Sequence, residues 1–258
     1  MAQQNVSRLA NKVAVITAST DGIGFAIAQR LAAEGAKVVV SSRKPQNVEK
    51  AVNQLKSDGH SDVLGVKCHV SDANDRKKLF DETIKKFGKI DILVSNAAVN
   101  PTVGSVLDCS EEAWDKIFDV NVKASFLLAK EVTPLLRKQS SGSIIFMSSY
   151  AGLNPFPLLG AYSVSKTALF GLTKALSQDL ASENITVNCV APGIIKTKFS
   201  SAMYETEVAR ETALSMIPMR KLGEVEDISG IVAFLASNDG AYITGETIVA
   251  SGGMPSRL

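Results

Sequence analysis

Seven short runs rich in β-branched residues recur along the chain, separated by longer stretches with apolar residues at helical spacing. The runs are VAVIT at 13–17, KVVVSS at 37–42, DVLGVKC at 62–68, DILVS at 91–95, SIIFMSS at 143–149, ITVNCVA at 185–191 and ETIVAS at 246–251. Leu169, Leu172, Leu176 and Leu180 illustrate the intervening helical period. The runs are continuously apolar rather than alternating, as required of strands covered by helices on both faces. This order predicts an α/β fold, a Rossmann-type doubly wound parallel sheet with helices on both faces. No Pro-, Gly- or Ser-rich linker interrupts it, so residues 1–258 read as a single domain.

Composition narrows the partners. The formal net charge is only +2, without a basic block of the kind that tracks a phosphate backbone, so no nucleic-acid partner is expected. No apolar run approaches the roughly 18 residues of a membrane helix, so no membrane span is expected. The opening MAQQNVSRLANK has no apolar signal core. Cys68, Cys109 and Cys189 are odd in number and far apart, which suits a reducing compartment better than a disulfide framework. With His60 and His69 the only histidines, and no CxxC or HxxxH, no metal site is expected.

The first strand runs into VITASTDGIGFA at 15–26. A helix that starts here would offer free N–H groups and a positive dipole end to a pyrophosphate. Thr17, Ala18, Ser19, Asp21, Gly22, Ile23 and Gly24 form the candidate cradle. Gly22 and Gly24 allow close approach and tight packing, while Ala18 stands where a turn glycine would be usual. A methyl group is tolerable at a negative φ, so a negative φ is predicted for Ala18. Taken alone, the stretch reads equally well as a helix start with two turn glycines.

The end of the second strand discriminates between coenzymes. An acid there would hold the ribose hydroxyls of NAD. The chain instead has Ser42, Arg43 and Lys44. A guanidinium with no carboxylate to oppose it suits a 2′-phosphate, so NADPH/NADP+ is the expected cofactor.

Tyr162 and Lys166 in YSVSK lie four residues apart, on one helix face. An ammonium about 4 Å from a phenol, at an effective dielectric of about 20, favours the phenolate by roughly 4 kcal/mol. That is about 3 pKa units, which predicts a tyrosine titrating near pH 7 and able to act as a general acid.

In order along the chain, TASTDGIG at 17–24, SNAA at 95–98, DVNVK around Asn121, MSS ending at Ser149, YSVSK and APGIIKT at 191–197 resemble the classical short-chain dehydrogenase/reductase family. The match covers nearly the whole chain. The resemblance implies Asn121, Ser149, Tyr162 and Lys166 as catalytic residues. Ser149 would bind the substrate oxygen, Tyr162 deliver its proton, Lys166 assist the tyrosine and hold a ribose, and Asn121 fix a proton-relaying water. It implies further cofactor contacts from Asn96, Ala97, Ala98, Pro192, Gly193, Ile195 and Thr197. Val70 would pack on the adenine, with His69 in place of a common aspartate.

Stretches such as TASTDGIGFAIA, VVVSSRK, DILVSNAAVNP and ITGETIVASGGMPSRL are similar to a peroxisomal, carbonyl-reducing branch of that family. This implies a homotetramer that reduces ketones, α-dicarbonyls and, as a further candidate, retinal. The final Ser256-Arg257-Leu258 has the form of a peroxisomal receptor signal, with a cytoplasmic fraction also compatible. The small-molecule carbonyl substrate would be met by Ser149, Phe156, Leu158, Tyr162, Phe199 and Met203, the last two in a substrate-loop region at about 197–222. Two rival readings remain open: a 3-oxoacyl thioester reductase with the same catalytic residues, and a non-catalytic NADPH-binding sensor.

Overall fold

The computed structural model describes residues 7–256. Its strands are β1 Val13–Ile16, β2 Lys37–Ser42, β3 Val63–Lys67, β4 Ile92–Ser95, β5 Gly142–Met147, β6 Ile185–Pro192 and β7 Thr247–Ala250. The helices are α1 Gly22–Ala33, α2 Pro45–Ser57, α3 Ala73–Phe87, α4 Glu111–Phe118, α5 Ala124–Arg137, α6 Gly160–Leu180, α7 Glu207–Met216 and α8 Val225–Ala236. The strands form one sheet in the order β3-β2-β1-β4-β5-β6-β7, and every pairing is parallel. All seven expected strands are present, with ends shifted by a residue or two.

The unbroken apolar character of the strands has a direct cause. Ala14, Ile16, Val38 and Val40 face one core, which includes Ile27 and Leu31 of α1 and Ile228 and Val232 of α8. Val15 and Val39 face the other, with Leu79 of α3, Val132 of α5 and Leu180 of α6. Successive side chains point to opposite faces, so a strand covered on both sides carries no polar alternate. No helix of the described residues is long and apolar enough to cross a membrane.

Two helix starts matter for the site. Asp21 caps α1 by accepting from the Gly22 amide at 2.9 Å. Between α4 and α5, Asp119–Lys123 forms a π-helical turn that carries Asn121. The chain order reverses between β1 and β4, so the carboxyl ends of these strands flank a crevice where such sheets bind ligands.

Candidate active site

The turn after β1 is stitched to the end of β4. Thr17 Oγ1 accepts from the amides of Asn96 at 2.9 Å and Ala97 at 3.2 Å. The Asn96 side-chain amide donates to the carbonyls of Thr17 at 3.1 Å and Ala18 at 3.0 Å. Ser19 Oγ donates to Ile16 O at 2.7 Å and accepts from Ser41 N at 3.0 Å, fixing the turn to β2.

Ala18 departs from expectation. Its φ is 49°, not negative. The turn needs a left-handed residue at this point whatever the side chain, and the bonds from Asn96 and Ser19 hold alanine there against its preference. Gly24 is needed for a different reason: a Cβ there would lie 2.4 Å from Ala18 O and 2.5 Å from Asn96 Nδ2. Gly22 has a φ of 54° and faces Thr197, whose methyl would sit 3.3 Å from an added Cβ.

These groups line a cleft of about 450 Å³ that runs from Ala18 and the α1 N-terminus to Tyr162, Lys166 and Pro192. A helix N-terminus, backbone exposed by glycine and a buried ammonium at the far end suit a dinucleotide. Ser42 ends β2 half-buried, and Arg43 and Lys44 are exposed beyond it. His69 is half-buried and turned back on its own loop, its Nδ1 accepting from Ser71 N at 3.3 Å. Buried Val70 is held by Arg76, which donates to its carbonyl at 2.8 Å.

The proposed catalytic groups converge beyond the ends of β5 and β6. Tyr162 and Lys166 share one face of α6, with relative exposures of 8% and 2%. The Lys166 ammonium lies 5.6 Å from the Tyr162 ring centroid and donates to Met147 O at 2.7 Å. Ser149 neighbours the Tyr162 hydroxyl closely enough to lower the phenol's pKa.

The tyrosine does not titrate near neutrality in this structure. Burial pushes its phenol up to about 12, against a smaller lowering by Ser149. Burial also pulls Lys166 down to about 8. The expectation of a phenol near pH 7 therefore fails for a physical reason: desolvation outweighs an ammonium that points past the ring to a backbone carbonyl.

Asn121 is fully buried and doubly bonded to the Val99 backbone, accepting from its N at 2.8 Å and donating to its O at 3.0 Å. Its amide also donates to Ser165 Oγ at 3.0 Å, and Ser165 donates to Tyr162 O at 2.6 Å. Asn121 thus braces α6 below the tyrosine; among the described residues its side chain bonds to Val99 and Ser165, and the Lys166 ammonium to Met147. The motifs do not single out Ser165, although its place three residues after Tyr162 on α6 was the available signal. They also miss Lys198, which pairs with Asp21 at 2.6 Å across the cleft mouth.

A second cavity of about 510 Å³ adjoins the cleft at Tyr162. Phe156, Leu158, Phe199 and Met203 all line it, along with Ser149. The Phe199 ring lies 5.8 Å from that of Tyr162. Among the described residues lining this cavity none is Asp, Glu, Lys, Arg or His. Pro192 and Thr197 lie along the wall shared with the cleft, and Gly193 and Ile195 between them line this second cavity. Ser256 is the last described residue, so Arg257 and Leu258 of the expected signal lie outside the described residues.

The family described as Enoyl-(Acyl carrier protein) reductase matches residues 17–255. The chain is 55% identical over 261 residues to Dehydrogenase/reductase SDR family member 4 of Oryctolagus cuniculus, covering 100% of each. Its fold superposes on a putative gluconate dehydrogenase from Agrobacterium tumefaciens with a TM-score of 0.93, at 25% identity over 99% of this chain and 100% of that one. A 3-ketoacyl-(acyl-carrier-protein) reductase from Brucella melitensis, solved with NADH, gives a TM-score of 0.89 at 29% identity, covering 95% of this chain and 99% of that one.

Proposed function

The chain belongs to the short-chain dehydrogenase/reductase family of oxidoreductases, and from that premise we propose that it is an NADPH-dependent carbonyl reductase of neutral, apolar ketones, α-dicarbonyls and retinal. The observation that carries this reading is the uncharged cavity that Ser149 and Tyr162 both line. A carboxylate substrate would find no cation to offset its desolvation there, whereas a ketone needs only hydrogen-bond donors at its oxygen.

The residues divide the work as follows. The α1 N-terminus, Gly22, Gly24 and Asn96 would hold the dinucleotide, with Lys166 at its ribose and Arg43 and Lys44 at a 2′-phosphate. When bound, the reduced nicotinamide supplies hydride to the carbonyl carbon. Ser149 donates a hydrogen bond to the substrate oxygen, and Tyr162 transfers its proton there as the C=O π bond becomes C–H and O–H. A phenol held protonated by burial is in the correct state for that step at neutral pH. The Lys166 cation then stabilises the phenolate left behind.

A 3-oxoacyl thioester reductase is the second reading, favoured by the likeness to the Brucella enzyme. Assembly as a homotetramer and import through Ser256-Arg257-Leu258 belong to the same proposal. A panel of ketones, diketones and thioesters, assayed with NADPH and NADH in parallel, separates the readings. Turnover of apolar ketones well above thioesters supports the first. Equal kcat/KM on both keeps the second, and binding without turnover of any carbonyl would leave only the sensor.

A further inference from the structure

The end of the chain returns to the active site beneath the serine. The carbonyl oxygen of Pro255 accepts from Tyr150 Oη at 3.0 Å and from Asn154 Nδ2 at 2.5 Å. Two donors fill the two lone pairs of one carbonyl. Proline suits this position because it offers an acceptor without a backbone donor to satisfy.

Both donors belong to the turn that starts at Ser149. Ala151 N donates to Ser149 Oγ at 3.1 Å, Gly152 N to Ser149 O at 3.0 Å and Asn154 N to Tyr150 O at 3.0 Å. A single 3₁₀ turn of this kind is weak by itself, so tertiary ties determine where it sits. Tyr150 is buried and packs in a small core with Met254, Ile194, Ala213 and Ile217. Its ring lies 5.5 Å from that of Phe156, on the wall of the substrate cavity.

We propose that Tyr150 and Asn154 are positioning residues: by gripping the Pro255 carbonyl they hold Ser149 against Tyr162 and couple the C-terminal segment to carbonyl reduction. The inference rests on the catalytic reading of Ser149 and Tyr162 given above. Its consequence is a sharp boundary near the end of the chain. Residues up to Pro255 serve the chemistry, and the two beyond Ser256 do not.

The test uses purified full-length enzyme, chains ending at Ser256 and at Met254, and Tyr150→Phe in the full-length and the shorter chain. Steady-state kinetics on a diketone are paired with NADPH binding by fluorescence. The chain ending at Ser256 should keep its kcat. The chain ending at Met254 should lose about tenfold in kcat, with its NADPH Kd within about twofold. Tyr150→Phe should cost several-fold in the full-length chain and nothing further in the chain ending at Met254, because its partner is already gone. An equal effect of Tyr150→Phe in both chains, or normal turnover of the chain ending at Met254, overturns the proposal.

Should the shortened chain not fold, Tyr150→Phe combined with Asn154→Ala in the full-length chain decides. A fall in kcat of at least about fivefold at unchanged NADPH affinity supports the coupling, and unchanged kcat overturns it. Tyr162→Phe, run alongside, separates the two claims. Turnover surviving that change removes the catalytic reading itself, whereas its loss beside a normal chain ending at Met254 removes only the coupling.

Discussion

The Asn96 side-chain amide donates to the carbonyl of Ala18 at 3.0 Å, and it meets that carbonyl where the alanine backbone is held at a φ of 49°. One side chain from the end of β4 thus keeps the nucleotide turn in a conformation that its own residue disfavours.

Glycine at this position should relieve the strain. A left-handed non-glycine residue costs about 1–2 kcal/mol, and glycine returns part of that gain as chain entropy. Ala18→Gly is expected to raise stability by about 0.5 kcal/mol in urea unfolding and to leave NADPH affinity within about threefold. Gly24→Ala should do the opposite, since its Cβ would strike Ala18 O. An NADPH affinity loss of more than about tenfold is expected from fluorescence titration.

Coenzyme choice is predicted to reside at the end of β2. Ser42→Asp with Arg43→Ile replaces a cationic pocket by a carboxylate beside the ribose. Hydrogen bonds to charged groups contribute about 1.5–3 kcal/mol, so the ratio of kcat/KM for NADPH over NADH should fall by roughly 10- to 100-fold. Unchanged discrimination would place 2′-phosphate recognition elsewhere.

Stability should decline on the alkaline side. Burial raises the Cys68 thiol to about 12 and the Cys189 thiol to about 11, both from an ordinary value of 9.0. Each group therefore contributes stability that is complete below about pH 9 and lost as pH rises toward its folded value. Tyr162 acts in the same direction between 10 and about 12. Lys166, lowered to about 8, acts oppositely between about 8 and 10.5. Melting temperature measured from pH 8 to pH 11 should fall in the wild type and fall less steeply in Cys68→Ala.

The targeting proposal predicts that blocking the free C-terminus redirects the protein. A C-terminal fluorescent fusion should be cytosolic in cells where the N-terminal fusion is peroxisomal. Identical distribution of the two fusions would contradict a role for the terminal tripeptide.

The sheet was legible because continuous apolar runs leave few alternatives to strands covered on both faces. Tyr162 and Lys166 were legible because four-residue spacing on a helix fixes their shared face. Ala18 was misread because composition does not encode the sign of φ at a non-glycine residue; the bonds of Ser19 and of Asn96, the latter 78 residues away from Ala18, impose it. The phenol was misread because the spacing shows the cation but not the desolvation, which comes from burial by segments distant in sequence. The contact of Tyr150 with Pro255 joins residues 105 apart, and no local pattern announces it.

The central claim is that the Tyr162 hydroxyl delivers the proton in carbonyl reduction. Tyr162→Phe keeps the ring against Phe199 and Lys166 and removes only that hydroxyl, so single-turnover reduction of a diketone by bound NADPH tests it most directly. The account predicts a fall of about 10²- to 10⁴-fold in the rate of the chemical step, with NADPH affinity within about twofold of wild type. A rate equal to wild type would contradict it.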